Sequence, residues 1–280
     1  MKIFDTVEGM REFSASKRRA NRSIAFVPTM GALHEGHISL LRYGRKAADI
    51  LVISIYVNPT QFGPTEDLRS YPRDLDGDLA RAKSAGADAV FLPSDDTIYP
   101  KGFQTFVEVG ELSKPLCGLS RPGHFRGVAT VVAKLLNIVS PDIAIFGEKD
   151  FQQLAVIRRM VADLDMPVEI VGRPIVREPD GLAMSSRNMY LTAKERAAAL
   201  SISRSLTIAQ GMVESGEKSA KALLCRVRAE IEEAGLARID YAGAVDPETL
   251  EEKTELIPPF LLALAVFVGR TRLIDNRLFS

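Results

Sequence analysis

The chain has 280 residues, with 36 basic and 36 acidic side chains, so its formal net charge at pH 7 is zero. This balance excludes a global electrostatic field that would attract nucleic acid or an anionic membrane surface. Hydrophobic residues make up 46% of the sequence, enough to build the core of one large domain or two modest ones.

Cysteine usage and apolar runs predict a cytoplasmic protein. Cys117 and Cys225 show neither C-x-x-C nor metal-binding spacing, which is typical of reduced thiols. The segment 1–5 lacks the basic and apolar regions of a signal peptide. The longest apolar run, residues 260–268, is too short to cross a bilayer and is more typical of a buried strand. We therefore expect neither nucleic acid nor a membrane as a partner.

The first part of the chain alternates short apolar strands with amphipathic helices. Strands are predicted at residues 24–27, 50–57, 89–92, 105–109, 143–146 and 168–171. The run 50–57 is nearly continuous in apolar residues, as in a strand covered on both faces of a parallel sheet. This alternation predicts an α/β fold with a Rossmann-like, doubly wound parallel sheet over residues 1–176.

Beyond Tyr190 the alternation stops. Helices are predicted at residues 192–213 and 219–234, the first with Thr192 as its N-cap and Glu195 completing a capping box. Strands are predicted at residues 239–245, 261–268 and 271–274. The change of pattern predicts a smaller C-terminal α+β domain over residues 177–280.

The turn between strand 24–27 and the following helix carries two of the three histidines. His34 and His37 are three residues apart, so at a helix start they share one face, beside unpaired backbone N–H groups and the positive end of the helix dipole. Gly31 and Gly36 remove a Cβ where the phosphates of a ligand would approach the backbone. The stretch therefore predicts an anion-binding site.

Two further turns carry polar side chains at the carboxyl ends of predicted strands. Asn58 and Gln61 follow the strand 50–57. The segment 147–153 resembles the first turn, because a glycine again stands where a strand ends and a helix follows. Gln153 lies one turn into that helix. Because ligands of doubly wound sheets bind at this edge, we expect these side chains to lie near the histidine turn.

Three other polar features leave alternatives open. Asp74 and Asp76 precede a predicted helix and could contact a metal, although helix capping is the commoner use of such carboxylates. His124 lies in a basic turn, where it could line a site or serve as a structural hydrogen-bond partner. The long loop 174–188 ends in Met-Ser-Ser-Arg, whose hydroxyls and guanidinium are phosphate donors.

These motifs carry a resemblance to a known family. The sequence His-Glu-Gly-His at residues 34–37 is similar to the HIGH-type signature of nucleotidyltransferases and class I aminoacyl-tRNA synthetases. The longer stretch Pro-Thr-Met-Gly-Ala-Leu-His-Glu-Gly-His, residues 28–37, resembles the pantothenate synthetase (pantoate–β-alanine ligase) family. The resemblance implies a Rossmann-like nucleotide domain with a C-terminal lid domain, Mg²⁺ as cofactor and a homodimer.

The implied activity is a step of pantothenate and coenzyme A biosynthesis. ATP would drive the ligation of (R)-pantoate and β-alanine to pantothenate through a pantoyl adenylate, with release of AMP and pyrophosphate. The resemblance makes His37, His34 and Lys149 catalytic, with His37 as the proton donor. It places Gln61, Gln153 and Asn58 at the pantoate and β-alanine sites. The residues implied to bind ATP are Met30, Gly31, Ala32, Leu33, His34, Glu35, Gly36, His37, Gly147, Glu148, Lys149, Asp150, Val176, Met184, Ser185, Ser186 and Arg187.

Three alternatives remain at this point. Another nucleotidyltransferase, such as a pyridine-nucleotide adenylyltransferase, would share the first motif but does not predict the motifs at 147–150 and 184–187 together. A fragment of a tRNA synthetase would need an RNA-binding surface, which the zero net charge does not favour. A nucleotide-binding regulatory module would bind ATP through the same turns without releasing pyrophosphate.

Overall fold

A parallel sheet organises the first part of the chain in the computed structural model, which describes residues 1–64 and 66–280. Its strands are β1 (Lys2–Phe4), β2 (Ile24–Thr29), β3 (Ile50–Ile55), β4 (Ala89–Phe91), β5 (Ile143–Gly147) and β6 (Glu169–Arg173). Within the described residues these six strands lie in the order β1-β4-β3-β2-β5-β6, and every neighbouring pair is parallel. The α/β class and the parallel sheet are therefore confirmed.

Helices connect the strands. They are α1 (Val7–Arg19), α2 (Glu35–Ala47), α3 (Leu75–Ser84), α4 (Asp95–Ile98), α5 (Cys117–Ser120), α6 (His124–Val139) and α7 (Phe151–Asp163). The core strand β2 is buried over Ile24–Val27, and β3 is buried along its whole length, as expected for strands covered on both faces. Strand β1 and helix α1 were not among the predicted elements.

The expected strand at residues 105–109 was wrong. In the described part of the chain this segment has no regular secondary structure. The backbone N–H of Val107 donates to the hydroxyl of Thr130 on α6 at 3.0 Å, so a side chain takes the place of a neighbouring strand. Alternating apolar residues suit such an extended segment packed on a helix as well as they suit a strand.

The strand order reverses between β2 and β5, which is the switch point of the sheet. From β2 the chain moves to β3 and then β4 on one side, and later adds β5 and β6 on the other. Strands β2 and β5 pair only at Ala25 with Ile143 and at Phe26 with Ala144, whereas β2 pairs with β3 over all six of its residues. The pairing of these two strands therefore ends at Phe26, and the carboxyl ends of strands at such a switch point are where doubly wound sheets bind ligands.

The C-terminal part of the chain contains helices and an antiparallel sheet. Its elements are α8 (Ala193–Glu214), α9 (Ala220–Glu232), β7 (Ala237–Val245), β8 (Phe260–Val268) and β9 (Thr271–Phe279). The described strands pair in the order β7-β8-β9, and buried side chains of α8 and α9 share a hydrophobic core with them. The capping box at the start of α8 is confirmed, because Thr192 and Glu195 each cap the other's backbone N–H.

Strand β9 is longer than expected. The prediction ended it at Ile274, directly before the polar residues Asp275 and Asn276. In the structure both side chains are buried and have partners: Asp275 forms a two-point ion pair with Arg177 at 2.7 and 2.9 Å, and Asn276 donates to the carbonyl of Lys149 at 2.9 Å. Satisfied polar groups can continue a buried strand, which a hydrophobicity pattern does not register.

The described residues divide into two compact units. The first comprises 1–113, 121–148 and 153–174, and the second comprises 114–120, 149–152 and 175–280. Two short segments that precede residue 176 thus belong to the second unit. No helix in the described ranges is long and apolar enough to cross a membrane. Both cysteines are free thiols, with Cys117 buried and Cys225 exposed.

Candidate active site

The histidine turn follows β2 at the switch point and begins α2. His34 is the N-cap of this helix, and its Nδ1 accepts the backbone N–H of Gly36 at 3.1 Å. Nδ1 of His37 in turn accepts the backbone N–H of His34 at 3.3 Å, and the ring centroids lie 4.1 Å apart. The two rings therefore share one face, as expected, but they pair N–H groups that the sequence analysis left open for an anion.

This capping arrangement determines the tautomer of both rings. An imidazole nitrogen that accepts a hydrogen bond carries no proton, so a neutral ring with an accepting Nδ1 has its proton on Nε2. Both His34 and His37 consequently present Nε2–H as a donor. Together with the positive end of the α2 dipole, this produces a donor set suited to phosphate oxygens.

The reason for Gly31 differs from the expected one. A Cβ on Gly31 would lie 2.8 Å from Oδ2 of Asp78, so the glycine makes room for a carboxylate of the protein. Asp78 accepts the backbone N–H groups of Ala32 at 2.8 Å and Leu33 at 2.7 Å. These bonds hold Gly31 and Ala32 in left-handed conformations, with φ of 83° and 50°.

Asp78 is a residue that the sequence analysis missed. Burial raises the pKa of its carboxyl, while the two backbone donors and Arg81 act in the opposite direction. A sequence signal for it existed, because Asp78 lies one helical turn before the buried Ala82 on α3. A carboxylate on the core-facing side of a helix must have hydrogen-bond donors nearby.

Two other residues of the predicted ATP set face different surroundings. Glu35 is exposed and pairs with Arg42 on the same helix. Met30 is half-buried and, with Gly31, lines a cavity of about 480 Å³ at the carboxyl ends of β2, β3 and β4. The residues described around that cavity do not include His34, His37 or Gln61, so it adjoins the predicted site at Met30 and Gly31 without containing its histidines.

The turn after β3 is tightly built. Asn58 caps a single helical turn, Pro59–Gln61, and its side chain donates to Oε1 of Gln61 at 2.9 Å. Asn58 is 1% exposed and Gln61 is 9% exposed. The structure thus joins these two predicted substrate residues by a direct hydrogen bond, with Asn58 the more deeply buried of the two.

The backbone of Gln61 is held by a cluster that the sequence analysis did not assign. Nη2 of Arg121 donates to its carbonyl oxygen at 3.1 Å, and Nδ1 of His124 lies 2.8 Å from the same oxygen. Arg121 also forms a two-point ion pair with Glu66, with both distances 2.6 Å. His124 is therefore a structural partner of Gln61, which is one of the two roles considered for it.

This ion pair lowers the pKa of Glu66. Burial by itself would raise the pKa of the carboxyl, but the guanidinium of Arg121 outweighs it and keeps the pKa of Glu66 below its ordinary value. The side chains of Arg121 and Glu66 are 14% and 22% exposed, so the pair is poorly screened by solvent.

The turn after β5 lies at the end of the strand that neighbours β2 at the switch point. A Cβ on Gly147 would meet nothing within 4 Å, so the protein itself leaves space beside this residue. Glu148 and Gln153 are half-buried. The neighbouring Gln152 has a structural task instead, since its amide bonds to the carbonyl of Pro115 and the N–H of Cys117.

The second unit contains the remaining predicted ATP residues. Lys149 is mostly buried and lies 3.6 Å from the carboxylate of Asp150. The N–H of Met184 donates to the carbonyl of Val176 at 2.9 Å, which closes the loop between them into a short hairpin. Ser185 caps the next turn by accepting the N–H of Arg187, and Ser186 opens that turn.

Carboxylates near the turns show no preformed metal cage. Asp74 is the N-cap of α3 and accepts the N–H of Gly77, so the capping alternative applies to it. Among the residues that the structure describes, no group of three or more His, Cys, Asp or Glu could hold a metal ion.

The chain is similar over nearly its whole length to proteins of one known family. The sequence profile of the Pantoate-beta-alanine ligase family matches residues 2–278. The chain is 59% identical over 276 residues to a protein of Geobacter sulfurreducens named pantothenate synthetase, covering 99% of this chain and 98% of the relative. It is 56% identical over 280 residues to the Syntrophus aciditrophicus protein of the same name, covering 100% and 98%.

Solved structures give the same result. The crystal structure of pantothenate synthetase from Thermus thermophilus superposes with a TM-score of 0.94 at 44% identity, covering 99% of both chains. Pantoate-beta-alanine ligase from Francisella tularensis, described as a complex with beta-gamma ATP and beta-alanine, has a TM-score of 0.82 at 34% identity and covers 99% and 97%. The chain therefore belongs to the pantoate–β-alanine ligase family.

Proposed function

We propose that this chain joins (R)-pantoate to β-alanine at the expense of ATP, and that the reaction passes through a pantoyl adenylate. In the first half-reaction the carboxylate of pantoate attacks the α-phosphorus of ATP and pyrophosphate leaves. In the second, the amine of β-alanine attacks the acyl carbon, loses a proton and displaces AMP. Membership of the ligase family over residues 2–278 supports this reaction.

The observation that carries the proposal is that His34 and His37 both accept backbone N–H groups through Nδ1 at the start of α2, from which we infer an Nε2–H donor on each ring. The first half-reaction brings a carboxylate to a polyphosphate, so its main obstacle is the repulsion of two anions. Fixed donors and a helix N-terminus at a switch point stabilise the developing negative charge and align the reactants. His37, supported by His34, would supply a hydrogen bond or a proton to the phosphates as pyrophosphate departs.

The other predicted residues complete the scheme. Gln61 and Gln153 would hold pantoate, and Gln61 would later meet β-alanine. Lys149 would neutralise phosphate charge, and the remaining ATP contacts would be Met30–Leu33, Gly147, Glu148, Asp150, Val176 and Met184–Arg187. In this scheme residues 1–176 bind ATP and pantoate, and residues 177–280 act as the lid.

Magnesium fits this site as a companion of ATP. Mg²⁺ prefers oxygen ligands and is commonly held by substrate phosphates together with one or two carboxylates. With no metal cage in the described ranges, the donor set suits a cation that arrives on the triphosphate, and Asp150 could add a protein ligand. The bound ion would supply positive charge to the phosphates. We further propose that the enzyme is a cytoplasmic homodimer.

Pyrophosphate exchange tests the function. If an acyl adenylate forms, labelled pyrophosphate should enter ATP in the presence of Mg²⁺ and pantoate without β-alanine. A different nucleotidyltransferase would exchange with its own acceptor, and a binding module would show no exchange. Pantoate-independent exchange, or none with folded protein, would contradict the proposal.

Two variants of His37 separate capping from catalysis. His37→Asn keeps an acceptor near the position of Nδ1 and can still cap His34, but it lacks the distal donor. His37→Gln reaches the distal position with an N–H donor and loses the capping acceptor. We expect His37→Asn to lower the exchange rate by about 10²–10⁴ with little change in the unfolding temperature, and His37→Gln to retain more activity. An exchange rate within a few-fold of the parent for His37→Asn would remove His37 from the catalytic residues.

A further inference from the structure

The buried side chain of Asn58 uses all of its hydrogen-bonding groups within the protein. Its Nδ2 donates to Oε1 of Gln61 at 2.9 Å and to the carbonyl oxygen of Gly127 at 3.2 Å. Its Oδ1 accepts from the backbone N–H of Thr60 at 3.3 Å, from the hydroxyl of Thr60 at 2.9 Å and from the hydroxyl of Tyr99 at 2.8 Å. An amide with two N–H donors and two lone pairs has no capacity left for a substrate.

These partners determine which way both amides point. The N–H of Thr60 can only donate, so the Asn58 atom beside it is the oxygen. The carbonyl of Gly127 can only accept, so the other Asn58 atom is the nitrogen. That nitrogen requires an acceptor on Gln61, which must be Oε1. Nε2 is then the end of the Gln61 amide that can serve a ligand, and it can only donate.

Tyr99 reaches this network from the segment after α4. Its hydroxyl lies 2.8 Å from Oδ1 of Asn58, and because that oxygen only accepts, the hydroxyl donates. The same hydroxyl lies 3.0 Å from the hydroxyl of Thr60. Tyr99 therefore adds a side-chain donor, from 41 residues away, to a turn that is otherwise held by its own residues, by Arg121 and by α6.

We propose that Tyr99 is a positioning residue for the ligation: together with Thr60, its hydroxyl holds the amide of Asn58, which in turn makes Gln61 a donor toward pantoate. This inference rests on the proposed role of Gln61. It also changes the expected role of Asn58, which acts through Gln61 rather than on the substrate. Pantoate offers a carboxylate and hydroxyl oxygens, and a fixed N–H donor suits each of these acceptors.

Tyr99→Phe is the direct test because it removes one oxygen and keeps the ring. Loss of one partly buried hydrogen bond typically corresponds to about a five- to tenfold change in an equilibrium constant. We expect KM for pantoate to rise by about that factor and kcat to fall, while KM for ATP stays within about twofold. Steady-state kinetics with each substrate varied in turn measures this split.

Tyr56→Phe is the matched control. The Tyr56 hydroxyl donates to the carboxylate of Asp95 at 2.9 Å, so this variant also removes one tyrosine hydroxyl in the same unit, but without a bond to Asn58 or Thr60. If Tyr99 had only a structural role, both variants would lower the unfolding temperature and leave KM for pantoate unchanged. That result would overturn the inference.

A double-mutant cycle with Gln61→Ala distinguishes the inference from the function on which it rests. If Tyr99 acts through Gln61, Tyr99→Phe should have no further effect on KM for pantoate in the Gln61→Ala background. Additive effects, or an impaired Gln61→Ala beside a normal Tyr99→Phe, would refute the positioning role alone. A normal KM for pantoate in Gln61→Ala would refute the proposed role of Gln61, and the inference with it.

Discussion

The carboxylate of Asp78 accepts the backbone N–H of Leu33 at 2.7 Å, a bond that joins α3 to the histidine turn. The neighbouring N–H of Ala32 donates to the other oxygen of the same carboxylate at 2.8 Å. The conformation of the turn before His34 therefore depends on a side chain 45 residues further along the chain. This relationship makes Asp78 a determinant of the geometry of the proposed phosphate site.

Asp78→Asn should distort this turn. An asparagine can accept one of the two N–H groups, but its own NH₂ group would face the other donor. We expect a loss of about 1–3 kcal/mol in the free energy of unfolding and a rise in KM for ATP. Urea unfolding and pantoate-dependent pyrophosphate exchange measure the two effects.

Asp74→Asn is the control for this change. Asp74 caps the same helix from an exposed position, where asparagine serves equally well as an N-cap. Its unfolding free energy and KM for ATP should therefore stay close to those of the parent. Equal behaviour of the two variants would show that Asp78 does not hold the turn.

Gly127→Ala should disturb the Gln61 turn from the side of α6. A Cβ at this position would lie 2.2 Å from the carbonyl oxygen of Thr60, which is backbone and has little freedom to move away. We expect a loss of about 1–3 kcal/mol in unfolding free energy and a higher KM for pantoate. Thermal unfolding measures the loss of stability, and steady-state kinetics measure KM for pantoate.

Gly211→Ala offers the matched comparison, since Gly211 also lies within a helix but a Cβ there would meet nothing within 4 Å. Alanine is a better helix former than glycine, so this variant should be more stable by up to about 1 kcal/mol, with unchanged kinetics. If Gly127→Ala were equally stable and active, the close approach of α6 to Thr60 would not constrain the turn.

Glu66→Gln should reveal a pH-dependent contribution to stability. Because Arg121 holds the pKa of Glu66 below its ordinary value, the folded state favours the carboxylate. Its contribution is fully present above the unfolded pKa of about 4.3 and is lost as the pH falls through the lower folded pKa. We expect the free energy of unfolding of the parent to exceed that of Glu66→Gln by about 1–3 kcal/mol at pH 7. The difference should become smaller as the pH falls below about 4.

Urea unfolding of the two proteins at a series of pH values measures this difference. Both proteins retain Asp78, whose pKa is raised by burial, so its opposite dependence on pH cancels when the two are subtracted. A difference that stays constant between pH 7 and pH 3 would show that the ion pair of Glu66 with Arg121 does not stabilise the fold.

The two errors in the predicted strands have one cause, which is a hydrogen-bond or ion-pair partner far away in the sequence. Strand β9 continues through Asp275 because Arg177, 98 residues away, pairs with it. The segment 105–109 is not a strand because the hydroxyl of Thr130 binds its backbone. Periodicity and turn signals describe what lies within a few residues of each position, whereas these outcomes depend on partners much further away.

The sequence by itself determined the α/β alternation, the break in pattern after Tyr190 and the family signature at residues 28–37. These features follow from local spacing and from turn chemistry, which depend only on residues close together in the chain. Only the tertiary structure decided that Asp78 fills the space beside Gly31. It also decided that the buried Asn58 bonds to both Gln61 and Tyr99. A buried polar group is stable only when donors and acceptors from distant segments meet it, and the fold alone brings those segments together.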